Sequence, residues 1–156
     1  MSVKSQFLEK LLTIEPAPVS FTSKSQADIA AFRLRMVQLQ EQMDAWLVGT
    51  GLNVETFIVS VTDLLAAGGT FELVAITLRY DDRSVKFIPV FLYGQGVTGC
   101  VEVTLHAEGR VTSVGRLFMR ADHFSDWSFT PPGALSRPGQ SFDENTFFSL
   151  ILALLP

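Results

Sequence analysis

The clearest periodicity in the chain lies between residues 25 and 49. Ile29, Phe32, Met36, Leu39, Met43 and Trp46 recur at alternating spacings of three and four, with Arg33, Arg35, Gln38, Gln40, Glu41, Gln42 and Asp44 between them. A helix turns once in about 3.6 residues, so these six side chains form one apolar stripe. Ser25 with Asp28 predicts the N-terminal cap, an approximate capping box with Asp in place of Glu. Gly49, followed by Gly51, supplies the left-handed residue that ends the helix. Upstream, Phe7, Leu8, Leu11 and Leu12 share one side of a short helix at residues 5–12, and Pro16 and Pro18 predict an extended connector. Burying the six side chains of the stripe at ~1.5–3 kcal/mol each is worth on the order of 10 kcal/mol, an upper bound. Such a stripe needs a cover. It is the protein's own sheet or a coiled-coil seam with another chain, although fewer than three heptads is short for a seam.

From residue 54 the period changes to two. Phe57, Val59 and Val61 alternate with Thr56, Ser60 and Thr62, a strand pattern. Asp63 to Gly69 reads as a helical turn or wide loop closed by Gly68 and Gly69. Phe71 to Tyr80 is almost wholly apolar, as expected of a strand covered on both faces. Asp81, Asp82, Arg83 and Ser84 form a hairpin turn leading to a third strand, Val85 to Tyr93. Its Pro89 has no N–H to give a ladder, so this strand is an edge or carries a bulge there. Gly94 to Gly99 turns the chain. Val101, Val103, Leu105 and Ala107 then alternate with Glu102, Thr104 and His106 in a half-buried strand. Glu108, Gly109 and Arg110 make a tight turn before a fifth strand, Val111 to Ala121. Phe124, Trp127 and Phe129 suggest one more short strand, stopped at Thr130 to Gly133 and followed by a loop to residue 140.

The end is helical. Ser141, Phe142, Asp143 and Glu144 fit a capping box, and Phe147, Phe148, Leu150, Ile151, Leu152, Leu154 and Leu155 follow almost without interruption. A helix apolar on all sides is buried in its own core or in a partner. Phe147, Phe148, Ile151, Leu154 and Leu155 are therefore the candidate interaction surface. The fold expected from these elements is α+β, one domain over residues 1–156 with 1–22 partly flexible. An antiparallel meander of about five strands packs on the long helix, with an apolar C-terminal helix beside it.

Composition narrows the class. Of 156 residues, 47% are hydrophobic and 18% charged, enough for a core and too apolar for disorder. The net charge of −4 arises after residue 50, and such a surface repels phosphate backbones, so no nucleic-acid partner is expected. Cys100 is the single cysteine, which excludes an internal disulfide and a cysteine metal cluster. The charged N-terminus lacks the apolar run of a signal peptide, and no stretch reaches the ~18–20 apolar residues of a membrane span, so a cytoplasmic protein with no membrane partner is expected.

Candidate chemistry is thin. Gly94-x-Gly96-x-x-Gly99 is literally the dinucleotide fingerprint, but that motif works only where its last glycine opens a helix. Here a strand pattern follows. His123 lies between Asp122 and Asp126, with His106 elsewhere, at no spacing that resembles a metal motif. No G-x-S-x-G elbow exists, and the Asp81–Asp82 carboxylates occupy a turn. No catalytic, cofactor or metal residue is assigned, and no cofactor is expected. Size, acidity and helix–sheet–helix order resemble those of small bacterial secretion chaperones and toxin-immunity proteins, a class-level analogy that no motif carries. The expected function is a non-catalytic protein-binding module, such as an adaptor, with a protein partner and a homodimer as its assembly. The alternative is a small-ligand-binding protein or enzyme with a pocket between sheet and helix.

The loop at residues 94–99 generates the first prediction. Titration with NAD or ATP is expected to give no heat of binding by calorimetry. Saturable binding that disappears on Gly96→Trp would contradict the hairpin reading.

Overall fold

The computed structural model describes residues 3, 4, 6, 17–62, 70–93, 97–120, 127–132 and 140–155. Apart from Gln6, the short helix expected at 5–12 falls outside these residues, as do residues 63–69, 94–96, 121–126 and 133–139. A long helix, α1 (Ala17–Trp46), leads into seven strands: β1 (Val54–Thr62), β2 (Thr70–Tyr80), β3 (Arg83–Phe91), β4 (Val97–Ala107), β5 (Arg110–Arg120), β6 (Trp127–Thr130) and β7 (Gln140–Ser141). A short helix, α2 (Glu144–Ile151), and one 3-10 turn (Leu152–Leu154) complete the order. All seven strands join one antiparallel sheet in chain order. The mixed α and β composition and the antiparallel meander match the expectation. The strand number does not, since seven are formed where about five were read.

Strand register shows how the core is made. The pairs Ile76↔Phe87, Phe87↔Val103, Val101↔Leu117, Leu117↔Phe129 and Met119↔Trp127 place one buried row after another on the same face. Alternation adds Leu78 and Val85 to that inner face, both fully buried. The α1 stripe lies on it. Ile29, Phe32, Met36, Leu39 and Met43 are all buried, and the Phe32 ring stands 6.3 Å from that of Trp127. Leu47, just past the helix, is buried more deeply than Trp46, which rests half-buried against Phe147 (5.1 Å) and Phe142 (6.0 Å). The stripe is therefore covered by the protein's own sheet.

Gly99 sets how closely helix and sheet approach. It belongs to β4, and a Cβ there would stand 3.2 Å from the Phe32 ring and 3.0 Å from the Met119 sulfur. A bare backbone at this point lets an aromatic ring settle on the strand.

Several local expectations are corrected. The helix starts at Ala17, eight residues before Ser25, so Ser25 is a buried interior residue and not a cap. Pro18 is accommodated because the first turn of a helix has no use for its own N–H groups. β3 is an interior strand between β2 and β4, which removes the edge alternative, and its register slips between Pro89 and Phe91, as the bulge alternative requires. Pro89 is tolerated because β2 pairs β3 only from Phe87 back to Arg83, so no β2 partner waits for its missing donor. β4 begins at Val97 rather than at Cys100.

The C-terminal helix is capped by Asp143, whose carboxylate accepts from the Thr146 N–H at 2.8 Å, while Ser141 belongs to β7. That hydrogen bond holds the Asp143 carboxyl below its ordinary range. Nor is α2 apolar on all sides. Phe147, Leu150 and Ile151 are buried, but Glu144, Asn145 and Ser149 face solvent.

The turns fall where they were read but are shorter, since Arg83 and Ser84 belong to β3 and Arg110 to β5. Glu108 (φ 54°) and Gly109 (φ 73°) form the two-residue loop between Ala107 and Arg110, and Asp81 (φ 53°) with Asp82 joins Tyr80 to Arg83. Gly49 takes φ 86° after the end of α1.

Leu39→Ala removes a side chain that is 1% exposed at the centre of the stripe. It is expected to cost about 2–5 kcal/mol in a urea denaturation. A midpoint equal to that of the unsubstituted chain would contradict the packing of α1 on the sheet.

Candidate interaction surface

The five residues singled out near the C-terminus do not form one exposed patch. Phe147 and Leu154 are fully buried and Ile151 is 5% exposed, all within the protein's own core. Phe148 is half-buried against that core, and its ring meets Phe147 at 5.3 Å. Only Leu155, with its neighbour Leu152, stands exposed.

The polar groups of the outer face are engaged with one another. Glu102 accepts from the Ser113 hydroxyl and from Arg116 Nε, each at 2.5 Å. The Lys86 ammonium lies 5.6 Å from the centre of the Phe57 ring. His106 Nε2 stands 3.0 Å from the Thr104 hydroxyl, and partial burial, helped by Lys86, holds the imidazole below its ordinary value. His123, Asp122 and Asp126 lie outside the described residues. Among those described, no group of three His, Cys, Asp or Glu side chains is placed to hold a metal ion. Gly99 does not open a helix, for β4 runs unbroken from Val97 to Ala107.

On the side where α1 crosses β1 and β2, apolar groups face water instead. There Arg33, Val37, Ile58, Glu72, Leu73 and Val74 border a groove of about 380 Å³. Ile58 is 61% exposed, Leu34 57% and Val37 39%. Leu34 and Val37 are one helical turn apart, and Ile58 is the cross-strand partner of Val74. The position of the helix is held by polar contacts at both flanks. Arg33 Nε donates to the Glu72 carbonyl (2.9 Å), and the Tyr93 hydroxyl donates to the Asp28 carboxylate (2.5 Å).

These exposed residues were not picked out by periodicity, yet each carries a signal. Leu34 and Val37 are apolar positions outside the stripe. Ile58 is an apolar residue in the otherwise polar phase of β1, between Thr56 and Ser60.

The same side holds the open edge of the sheet. β1 is terminal in the strand order and pairs β2 along all nine of its residues without a register shift. The opposite edge, β7, is two residues long. No helix among the described residues is long and apolar enough to cross a membrane. Compared with known proteins, the chain matches no family model, and no curated protein or solved structure matches it at a significant level.

Cys100 illustrates how inert the interior is. Burial pushes its thiol up to about 12; the Arg116 guanidinium opposes the rise and Glu102 adds to it. At pH 8 almost no thiolate exists to react. A disulfide reagent is therefore expected to leave the native protein unlabelled over an hour and to label one thiol per chain in urea. Rapid native labelling would contradict this burial.

Proposed function

We propose that this chain is a non-catalytic protein-binding module, of the adaptor, secretion-chaperone or immunity-protein kind, that engages its partner through the strip beside α1 and β1. The observation that carries the reading is that Val37 and Ile58, from α1 and β1, stand in solvent around one groove, with Leu34 exposed one helical turn before Val37. Core packing does not require these side chains to be exposed, and apolar groups clustered at the surface mark interaction sites more often than isolated ones do. The polar groups Glu102 and Arg116 pair with each other in an ion pair.

Arg33 and Glu72 give the groove a polar border, the arrangement of a partly apolar protein interface with a hydrated rim. A small ligand would be enclosed by its site, whereas Ile58 at the rim is mostly in water. A buried, unreactive Cys100 is compatible with a reducing cytoplasm.

Immobilised protein and its Val37→Asp variant, challenged with lysate of the source cell, test this function. One protein retained in stoichiometric amount by the unsubstituted chain is expected to be lost with the variant, its affinity falling at least about tenfold, or 1.4 kcal/mol. Identical retention by both forms would remove the strip from the function. A small molecule recovered from the unsubstituted chain alone would favour a ligand-binding protein instead.

A further inference from the structure

We infer that the partner on the open edge is a second copy of this chain, joined by antiparallel pairing of β1 with β1 about a two-fold axis at Ile58. The inference rests on the reading of this side of the molecule as a protein-binding surface, and it names the occupant. The edge itself is the first observation. β1 has nine residues in unbroken register with β2, with no proline, no lysine or arginine, and no bulge. Sheets that must stay single blunt a terminal strand with such features. β7, only two residues long, is blunted at the other end of the same sheet.

Self-complementarity is the second observation. Antiparallel partners must present the same hydrogen-bonding phase, so the position numbers of each pair sum to an even number. Centred on Ile58, the register uses the strand from Val54 to Thr62 in full. It sets Ile58 against Ile58, Phe57 against Val59, Thr56 against Ser60 and Val54 against Thr62. Except at Thr56–Ser60 and Glu55–Val61, β-branched and aromatic residues face one another, the pairs that stabilise a sheet.

Charge is the third. Glu55 is the one ionisable residue of β1, and Arg79 of β2 already holds it at 3.1 Å. In the two-fold register Glu55 faces Val61, and the two Glu55 carboxylates stand six positions apart, about 20 Å. That exceeds the Debye length of about 8 Å at physiological salt, so nothing repels. The exposed Ile58 of each copy then meets its symmetry mate across the axis, beside the groove that Val37 borders. Among the described residues β1 is the one long edge strand, so pairing of this kind closes at two copies.

Light scattering at about 50 µM tests the assembly, with the chain mass of 17.2 kDa as the reference. Twice that mass is expected for the unsubstituted chain. Ile58→Lys and Ile58→Glu, at a 61% exposed position, are each expected to be monomers with unchanged circular dichroism. Mixed in equal amounts, they are expected to regain the doubled mass, since opposite charges then face each other. If either variant fails to fold, Ile58→Cys chains are expected to cross-link to one another through a short bis-thiol reagent while Val48→Cys chains, 81% exposed at that site, do not. A mass of one chain, a mass above two, or a dimer indifferent to both Ile58 substitutions and without the Ile58→Cys cross-link overturns the inference. A monomer that still loses a captured protein on Val37→Asp overturns the second copy alone and leaves the binding function standing.

Discussion

Everything in this molecule depends on one contact, the seating of the α1 stripe on the inner face of the sheet. Phe32 lies against Gly99 and near Trp127, and Trp46 against Phe142 and Phe147, so one helix touches strands from the middle of the sheet to its far end and also the C-terminal segment. A meander pairs only near neighbours in sequence. Without the helix, the inner rows from Ile76 to Phe129 would lie open to water. The apolar transfer energy of those rows is thus realised only when residues far apart in the chain come together.

The same seating produces the exposed strip. α1 packs most extensively against β2, next to the margin, and less against β1 and β4. Beyond Ala75 toward its start, β2 pairs with β1 and no longer with β3, and Arg33 of the helix bonds the Glu72 carbonyl in that diverging segment. Ile58 borders the same groove as Arg33 and Val37 of the helix yet stays 61% exposed. The groove and the open edge share a cause: a thirty-residue helix laid over a seven-stranded sheet leaves its first strand partly bare.

Much of this architecture was legible in the residues, for identifiable reasons. The stripe from Ile29 to Met43 was readable because a helix buried on one face repeats its apolar side chains with the helical period. The two-residue turns at Asp81 and Glu108 were readable because few residues accept those backbone angles. The start of α1 was misread because Pro18 breaks a helix in its interior but not in its first turn. β7 went unseen because two residues carry no period. Position in a sheet was the deeper difficulty: alternation records which face a residue takes, not whether its strand has one neighbour or two. Pro89 suggested an edge where the ladder had already ended, while β1, the true edge, carries no mark beyond its lack of edge-blunting residues. The C-terminal leucines and phenylalanines looked like surplus surface for a similar reason, since composition cannot show that Phe147 and Leu154 fill the space beside Trp46 and Arg83.

Amide hydrogen exchange, followed residue by residue by NMR in the native protein, tests the dependence of the sheet on α1 most directly. If the helix and the inner rows are one cooperative unit, the amides of Phe32 to Met43 and those of Phe87, Val101, Val103 and Leu117 should open with the same free energy and respond to denaturant with the same slope. Helix amides that exchange through a separate, cheaper opening, while the strand amides stay protected, would contradict the account, because the sheet would then be holding itself together without the helix.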